Sequence, residues 1–319
     1  MSHKPLISFC LFTYNQASFI AQAIDGAFAQ TYENMEIIIS DDGSSDETWS
    51  IVEKKSKLYQ GPHKLTINRN KVNMGVAAHV NKLVSMSHGD IVVIAAGDDI
   101  SLPSRASRIA DAFESHTDAM MVESLENKIT PNGKCTELSS FSGQMKYVDS
   151  DPNRVVEHFP CFKGAVLAYR RRVFTEFGPL PADCWAEDII LSMRACMLGK
   201  VVRIEEPLIY YRTAGGISSG RSKTLEKSVR VNRGRMRCYE QLYDDALSLG
   251  VPNLEPLKAC LKSRIEGLSA YIVAISDSSL WVRLASALKY MKIEKNRVRA
   301  IIVLALSALP LSVRRLVFH

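Results

Sequence analysis

Glu36-Ile37-Ile38-Ile39-Ser40-Asp41-Asp42-Gly43-Ser44 and, further on, Asp90-Ile91-Val92-Val93-Ile94-Ala95-Ala96-Gly97-Asp98-Asp99 share one pattern: a short apolar run that stops at two adjacent carboxylates. A strand buried on both faces reads as a continuous apolar run. Ligands of open α/β sheets bind outside the carboxyl ends of the strands. Two such strands aim acidic tips at one crevice, which suits a divalent cation and a phosphorylated ligand.

Working outward, Leu6–Phe12 reads as a first buried strand, followed by a turn at Thr13-Tyr14-Asn15-Gln16. Phe19, Ile20, Ala23, Ile24, Ala27 and Phe28 then recur at helical spacing. Ser44 and Glu47 have the spacing of a capping box, which predicts a helix to about Leu58. Leu65–Asn68 is a short third strand, and Asn73-Met74-Gly75 turns into a helix carrying Ala77, Val80, Leu83 and Val84. The first hundred residues therefore read β-α-β-α-β-α-β, which right-handed crossovers turn into a parallel, Rossmann-like sheet. Beyond it we expect a helix from Pro103 to about Phe113, a strand at Ala119–Val122, a turn at Asn132-Gly133 and a strand at Gly164–Tyr169. A helix at Ala186–Leu198, capped by Gly199, and short strands at Val201–Ile204 and Leu208–Tyr211 follow. After a Gly/Ser-rich loop at Gly215–Gly220 the pattern is helical. The expected division is 1–225 for the sheet domain and 226–319 for a helical, basic extension.

With 319 residues and 46% hydrophobic content, the chain can bury one large domain plus an appendage. Its seven cysteines, with no C-x-x-C pair, fit buried thiols in a reducing compartment. Met1-Ser2-His3-Lys4-Pro5 lacks the regions of a secretory signal, so a cytoplasmic location is expected. The net charge of +6 is uneven: Ser279–His319 holds eight Lys/Arg and one Glu, which leaves the rest of the chain near neutrality. That is not the footprint of a nucleic-acid-binding core. The histidines lack H-x-x-x-H spacing, so no zinc site is expected.

Phe12-Thr13-Tyr14-Asn15, Asp41-Asp42-Gly43-Ser44, Gly97-Asp98-Asp99 and Ala186-Glu187-Asp188, in this order and spacing, resemble the motifs of family 2 glycosyltransferases over roughly residues 5 to 225. The resemblance implies the GT-A fold, an α/β architecture with a Rossmann-like, mostly parallel sheet flanked by helices, here with a helical C-terminal extension. It implies inverting transfer of a sugar from a nucleoside-diphosphate sugar, a UDP-sugar first and a dTDP-sugar next, to a hydroxyl of a glycan or glycolipid acceptor in surface polysaccharide synthesis. It places Asp42 on the imide N–H of uracil or thymine, with Thr13 and Tyr14 flanking the base, Asp41 as a structural partner, and Asn73 and Asn81 beside the donor. Asp98, with Asp99 beside it, takes the position of the metal site for Mg2+ or Mn2+, ions that keep several waters and need only one or two carboxylates. Asp188 takes that of the general base, supported by Glu187; inverting transfer needs one base and no protein nucleophile. By residue type alone, Asp42 also suits a turn, Asp98 a strand-end Asx turn, and Glu187-Asp188 the macrodipole of a helix start.

Three departures from the family's pattern stand out. Ala96 replaces the first carboxylate of D-A-D-D, and Ala214 stands near a position where many members carry His. Leu191-Ser192-Met193-Arg194-Ala195 stands where processive relatives have Q-x-x-R-W, which implies single additions. Arg212 is the remaining candidate cation for the diphosphate, a surface ion pair being its other reading. Asn153, Arg154, His158 and Lys163 fall near the acceptor side. Arg170-Arg171-Arg172 suits either an acceptor phosphate or a solvated charged turn. The two losses keep a catalytically impaired nucleotide-sugar-binding homologue as an alternative. A sugar nucleotidyltransferase fits less, since no glycine follows the first strand until Gly26.

The apolar run Ala300–Leu311 is twelve residues, broken by Ser307 and Pro310, against the roughly 20 needed to span a bilayer. Leu280, Trp281, Leu284, Leu288 and Met291 recur at near-helical spacing, with Arg283, Lys289 and Lys292 among them; Arg297, Arg299, Arg314 and Arg315 flank the later run. This predicts an in-plane amphipathic helix with a basic face on the cytoplasmic side of a membrane. Packing of the same stripe on the catalytic domain is the other reading.

Overall fold

The apolar runs form the strands of one sheet in the computed structural model, which describes residues 4–158, 162–213, 224–250, 253–276, 278–294 and 296–317. Strands β1 (Ile7–Thr13), β2 (Met35–Asp41), β3 (Lys64–Arg69) and β4 (Ile91–Ala96) alternate with helices α1 (Ile20–Phe28), α2 (Thr48–Lys57) and α3 (Val76–Met86). There follow β5 (Ile100–Ser101), α4 (Arg105–Ser115), β6 (Ala119–Ile129), β7 (Cys135–Glu137), β8 (Met145–Val148) and the one-turn α5 (Pro152–Val155). Then come β9 (Leu167–Arg170), the one-turn α6 (Arg172–Thr175), α7 (Glu187–Leu198) and β10 (Lys200–Arg212). The sheet order is β3-β2-β1-β4-β9-β6-β10-β5, with β7 beside β6 and β8 beside β10.

The first four strands are parallel, as the alternation requires. β9 then enters antiparallel between β4 and β6, and β6 runs parallel to β10. All seven residues of β2 are buried, and in β1 only Phe12 is half-buried, because helices cover both faces. β3, at the edge, has no buried residue and mixes half-buried with exposed positions. Ile7, Phe9, Leu11, Ile24, Ile37, Ile39, Val93, Ile109 and Phe113 share one core, each fully buried side chain contributing about 1.5–3 kcal/mol.

Several local expectations change. The capping box does not form: the Ser44 hydroxyl donates to Asp41, and α2 begins at Thr48, whose N–H and hydroxyl donate to Asp46 Oδ1 at 3.0 and 2.5 Å. Gly199 is not a left-handed cap; a Cβ there would stand 2.5 Å from the Asp118 carbonyl oxygen, so the position needs glycine for close approach. The two short strands expected after it are the single strand β10, whose register against β6 shifts on either side of Pro207. The turn at Asn132-Gly133 does form, with Gly133 at φ +82° joining β6 to β7. Ala214 and the loop Gly215–Gly220 lie outside the described residues.

By its contacts the chain divides into two compact units, Met1–Ala182 with Glu187–Gly220, and Asp183–Ala186 with Arg221–His319. The second unit holds α8 (Leu225–Ser248), α9 (Glu255–Ile275), α10 (Leu280–Ile293), α11 (Arg297–Ala308) and α12 (Leu311–Val317). These helices have a core of their own, including Leu225, Tyr271, Ile275, Ala287, Tyr290 and Val303. Two arginines expected on a basic outer face are buried instead. Arg283 Nε donates to the Ser307 carbonyl at 2.9 Å, and Arg314 donates to those of Ile275 and Ser276 at 2.6 and 2.5 Å. Such carbonyls at helix ends have no partner within the helix, and a guanidinium fork supplies one. Among the described residues no helix is long and apolar enough to cross a membrane.

Candidate active site

Pairing register brings the acidic tips to one level. Thr13 lies opposite Asp41, and Phe12 opposite Ala96, so the chain leaves β2, β1 and β4 side by side. The Asp42 N–H donates to the Thr13 carbonyl and the Gly97 N–H to that of Phe12, each at 2.9 Å. The turn after β1 is laced to the turn after β2: Asn15 N–H donates to Ser44 Oγ at 2.8 Å, Ser45 N–H to Asn15 Oδ1 at 2.9 Å, and Gln16 N–H to Thr48 Oγ1 at 2.8 Å. Gly97 fits because it has no side chain; a Cβ there would lie 2.6 Å from Gln16 Oε1 and 2.7 Å from Thr13 Oγ1.

The neighbours Asp41 and Asp42 differ in employment. Asp41 is wholly buried and accepts from the Ser44 N–H at 3.0 Å and from its hydroxyl, with Arg69 Nε at 3.5 Å. Asp42 Oδ1 accepts from Asn70 Nδ2 at 2.8 Å and from the Met74 N–H at 3.0 Å; Oδ2 accepts from the Gly75 N–H at 3.1 Å. Asp42 thus shapes the Asn73-Met74-Gly75 turn, where Gly75 sits at φ +83°. Asp42 is 2% exposed; a carboxylate has about four acceptor positions, so Oδ2 keeps acceptor capacity for one further donor. Tyr14 is half-buried at this edge and Asn73 is exposed. Asn81 is tied both ways to the Leu180 backbone, at 2.8 and 2.9 Å.

At the end of β4, Asp98 is half-buried and hydrogen-bonded by Gln16, while Asp99 is buried and accepts the Arg212 N–H at 2.8 Å. Burial pushes both carboxyls up; Asp99 reaches about 7, raised first by burial and then by the charge of Asp98. Adjacent carboxylates in such a place favour a bound cation. Among the described residues no three His, Cys, Asp or Glu gather as metal ligands. The pair fits Mg2+ or Mn2+ nonetheless, since these ions complete their shells with water and phosphate oxygens.

Arg212, expected as a surface ion pair or a cation for the diphosphate, is buried. Its Nε donates to the Asp98 carbonyl at 2.8 Å, its other nitrogens to the carbonyls of Thr130 and Pro131 at 3.0 and 2.5 Å and to Gln22 Oε1 at 2.9 Å, and it lies 4.6 Å over the Phe19 ring. It staples the Asp98–Asp99 turn. Arg105, which the sequence reading passed over, lies behind the same turn. It donates to the carbonyls of Ile94 and Ala165 at 3.1 and 2.9 Å and to Ser101 Oγ at 3.0 Å. Burial lowers its pKa to about 10 against the pull of Asp99. The signal was visible: a cation in the first turn of a helix opposes the macrodipole and needs another reason.

Asp188 stands in the first turn of α7, which Ile189, Ile190 and Leu191 anchor in the core. Its Oδ2 accepts the Gly164 N–H at 3.1 Å, and burial holds its pKa above the usual carboxylate value. Glu187 beside it is half-buried. The turn at Gly164-Ala165 therefore touches Asp188 on one side and Arg105 on the other. Lys163 pairs with Glu126 and lies 4.6 Å from the Tyr211 ring. Arg154 pairs with Asp149 at 2.8 Å, and the His158 side chain lies outside the described residues. Of the three consecutive arginines, Arg170 and Arg171 are committed to backbone carbonyls, while Arg172 is exposed and paired with Glu176. Arg170 donates to the Ala119 and Phe113 carbonyls at 2.8 and 2.9 Å, Arg171 to the Gly89 carbonyl at 2.5 Å, and Arg172 to Glu176 at 3.0 Å.

Comparison with known proteins agrees with this fold. The family described as Glycosyl transferase family 2 matches residues 8–178. An uncharacterized glycosyltransferase of Nostoc sp. is 28% identical over 255 residues, covering 76% of either chain. Residues 1–349 of S. aureus TarS, solved with UDP-GlcNAc, superpose with a TM-score of 0.61 at 18% identity over 94% of this chain and 83% of that one. The mannosyltransferase PcManGT from Pyrobaculum calidifontis, solved with GDP-Man and Mn2+, superposes with 0.54 at 18% identity over 99% and 87%. At these identities the structural likeness is one of fold.

Proposed function

The chain belongs to glycosyl transferase family 2 and is a glycosyltransferase of the GT-A type, and from that premise we propose an inverting, metal-dependent enzyme that moves a hexose-type sugar from a UDP-sugar to a hydroxyl of a glycan or glycolipid acceptor in surface polysaccharide synthesis. The observation that carries the reading is the level register of Thr13, Asp42 and Asp98–Asp99 at the ends of three adjacent strands.

In this reading the imide N–H of the base donates to Asp42 Oδ2, with Thr13 and Tyr14 flanking the ring and Asn73 at its border. Cytosine has no such N–H, so Asp42 selects uracil or thymine. Asp98, with Asp99 behind it, holds Mg2+ or Mn2+, which when bound neutralises charge on the departing diphosphate. Arg212 serves the donor site through the turn it staples, and Arg105 balances the charge of Asp99. Asp188 accepts the proton of the acceptor hydroxyl while that oxygen attacks the anomeric carbon. The nucleoside diphosphate leaves from the opposite face with the bonding pair, so the configuration inverts. Glu187 adds negative potential beside the base.

The enzyme works at the cytoplasmic face of a membrane, through its C-terminal extension. The basic composition of the extension and the six free cysteines among the described residues support this. A thermal-shift series with UDP, dTDP, GDP and CDP, with and without Mn2+, tests the donor assignment. UDP with Mn2+ is expected to raise the melting temperature, by the equivalent of about 2.7 kcal/mol at a hundredfold excess over Kd. A CDP shift equal to that of UDP, or no nucleotide shift, rejects it.

A further inference from the structure

In α10 the side facing the rest of the helical unit carries Arg283, Ala287 and Tyr290. The opposite side carries Trp281, Ala285 and Leu288, an i, i+4, i+7 row that continues to Lys292. Trp281 is 80% exposed and Leu288 53%. Helix α11 repeats the arrangement: Ala300, Val303 and Ser307 are buried, while Val298, Ile301 and Ile302 stand 68%, 58% and 51% exposed. Exposed apolar residues scattered singly are ordinary; outward rows on two successive helices mark a surface that meets something.

The charges around these rows say what it meets. Lys289, Lys292, Arg297 and Arg299 are exposed. The one acid in Ser279–His319, Glu294, accepts from the Tyr290 hydroxyl at 2.5 Å. Lys289 pairs with Glu266 at 3.8 Å and Arg299 with Glu294 at 3.9 Å, which leaves Lys292 and Arg297 as the cations beside the rows; apolar rows with this net positive charge complement an anionic lipid surface, with tryptophan at the level of the headgroups.

We propose that the outward rows of α10 and α11 dock on an anionic bilayer, Trp281, Leu288, Ile301 and Ile302 entering the headgroup layer while Lys292 and Arg297 meet lipid phosphates. This rests on the membrane contact proposed above and gives it a surface and a lipid charge. The two buried arginines, Arg283 and Arg314, take no part; they hold the helices in place.

Flotation of the full chain tests it, using phosphatidylglycerol/phosphatidylcholine vesicles and phosphatidylcholine alone at low salt. The wild type is expected to float with the anionic vesicles only. The variant W281S/L288S/I301S/I302S is expected to lose at least tenfold in bound fraction, and K292Q/R297Q to bind more weakly with a flatter salt dependence. Circular dichroism and nucleotide binding are expected to be unchanged in both variants. The proposal is overturned if the wild type stays at the bottom with anionic vesicles, or if the serine variant floats as well as the wild type. It is overturned too if gel filtration shows a dimer that the serine variant dissolves, which would give the face to a second copy. Failed flotation with intact nucleotide binding removes the lipid surface alone; intact flotation without nucleotide binding removes the transferase reading alone.

Discussion

The Gly164 N–H donates to Asp188 Oδ2 at 3.1 Å, and a Cβ on Gly164 would stand 3.2 Å from that same oxygen. A turn thus aims the proposed base by a hydrogen bond and crowds it from the same side. Gly164→Ala is expected to displace the carboxylate by a few tenths of an ångström and lower kcat about tenfold, since larger misplacements cost about a hundredfold. Donor binding is expected to hold. Steady-state kinetics with a donor titration check this; a variant with wild-type kcat removes the brace from the account.

Asp188→Asn keeps an acceptor for the Gly164 N–H and loses the base. We expect kcat to fall by about 10²–10⁴ with donor Kd unchanged. A collapse of donor affinity would instead make Asp188 a donor or structural residue.

Burial raises the Asp188 pKa, which fixes two signs. Turnover needs the carboxylate, so the acidic limb of the rate profile lies above the usual carboxylate range. The unfolded chain loses this proton first as pH rises, so the carboxyl's contribution to stability falls between the unfolded and the raised folded pKa. Asp188→Asn is therefore expected to gain stability over the wild type as pH rises through that window, and not below it. Thermal melts at pH 4 and pH 8 read the difference; a stability gap independent of pH contradicts it.

Asp98→Ala is expected to abolish Mn2+-dependent nucleotide binding and leave the fold within about 1 kcal/mol, because the charged form of Asp98 is disfavoured by burial. Titration calorimetry of UDP with Mn2+, beside a denaturant melt, separates the two effects. Wild-type affinity that a chelator leaves unaltered would sink the metal assignment.

Arg212→Ala removes a buried guanidinium that donates to three backbone carbonyls and one side-chain amide oxygen and is expected to cost about 3 kcal/mol. Arg212→Lys cannot span the same fork and is expected to recover only part of that. A neutral alanine variant would mean that the staple is not needed.

The strand-and-tip pattern was legible because it depends on local sequence: apolar runs mark β1, β2 and β4, and the carboxylates at the ends of β2 and β4 declare the crevice. What the sequence hid was tertiary. Arg105, Arg170, Arg171, Arg212, Arg283 and Arg314 read as surface cations or pass unremarked, yet each bonds carbonyls far along the chain. No local pattern announces such a partner. The antiparallel entry of β9 and the joining of two short runs into β10 were likewise decided by sheet neighbours rather than by propensity.

The decisive measurement is release of nucleoside diphosphate from a panel of UDP-, dTDP- and GDP-sugars, with Mn2+ and then with excess chelator. Release is expected from a UDP-sugar, is expected to need the metal and to stop on chelation, and is expected to be absent in Asp98→Ala. Release at the same rate with chelator present, or none from any uridine or thymidine donor, would contradict it.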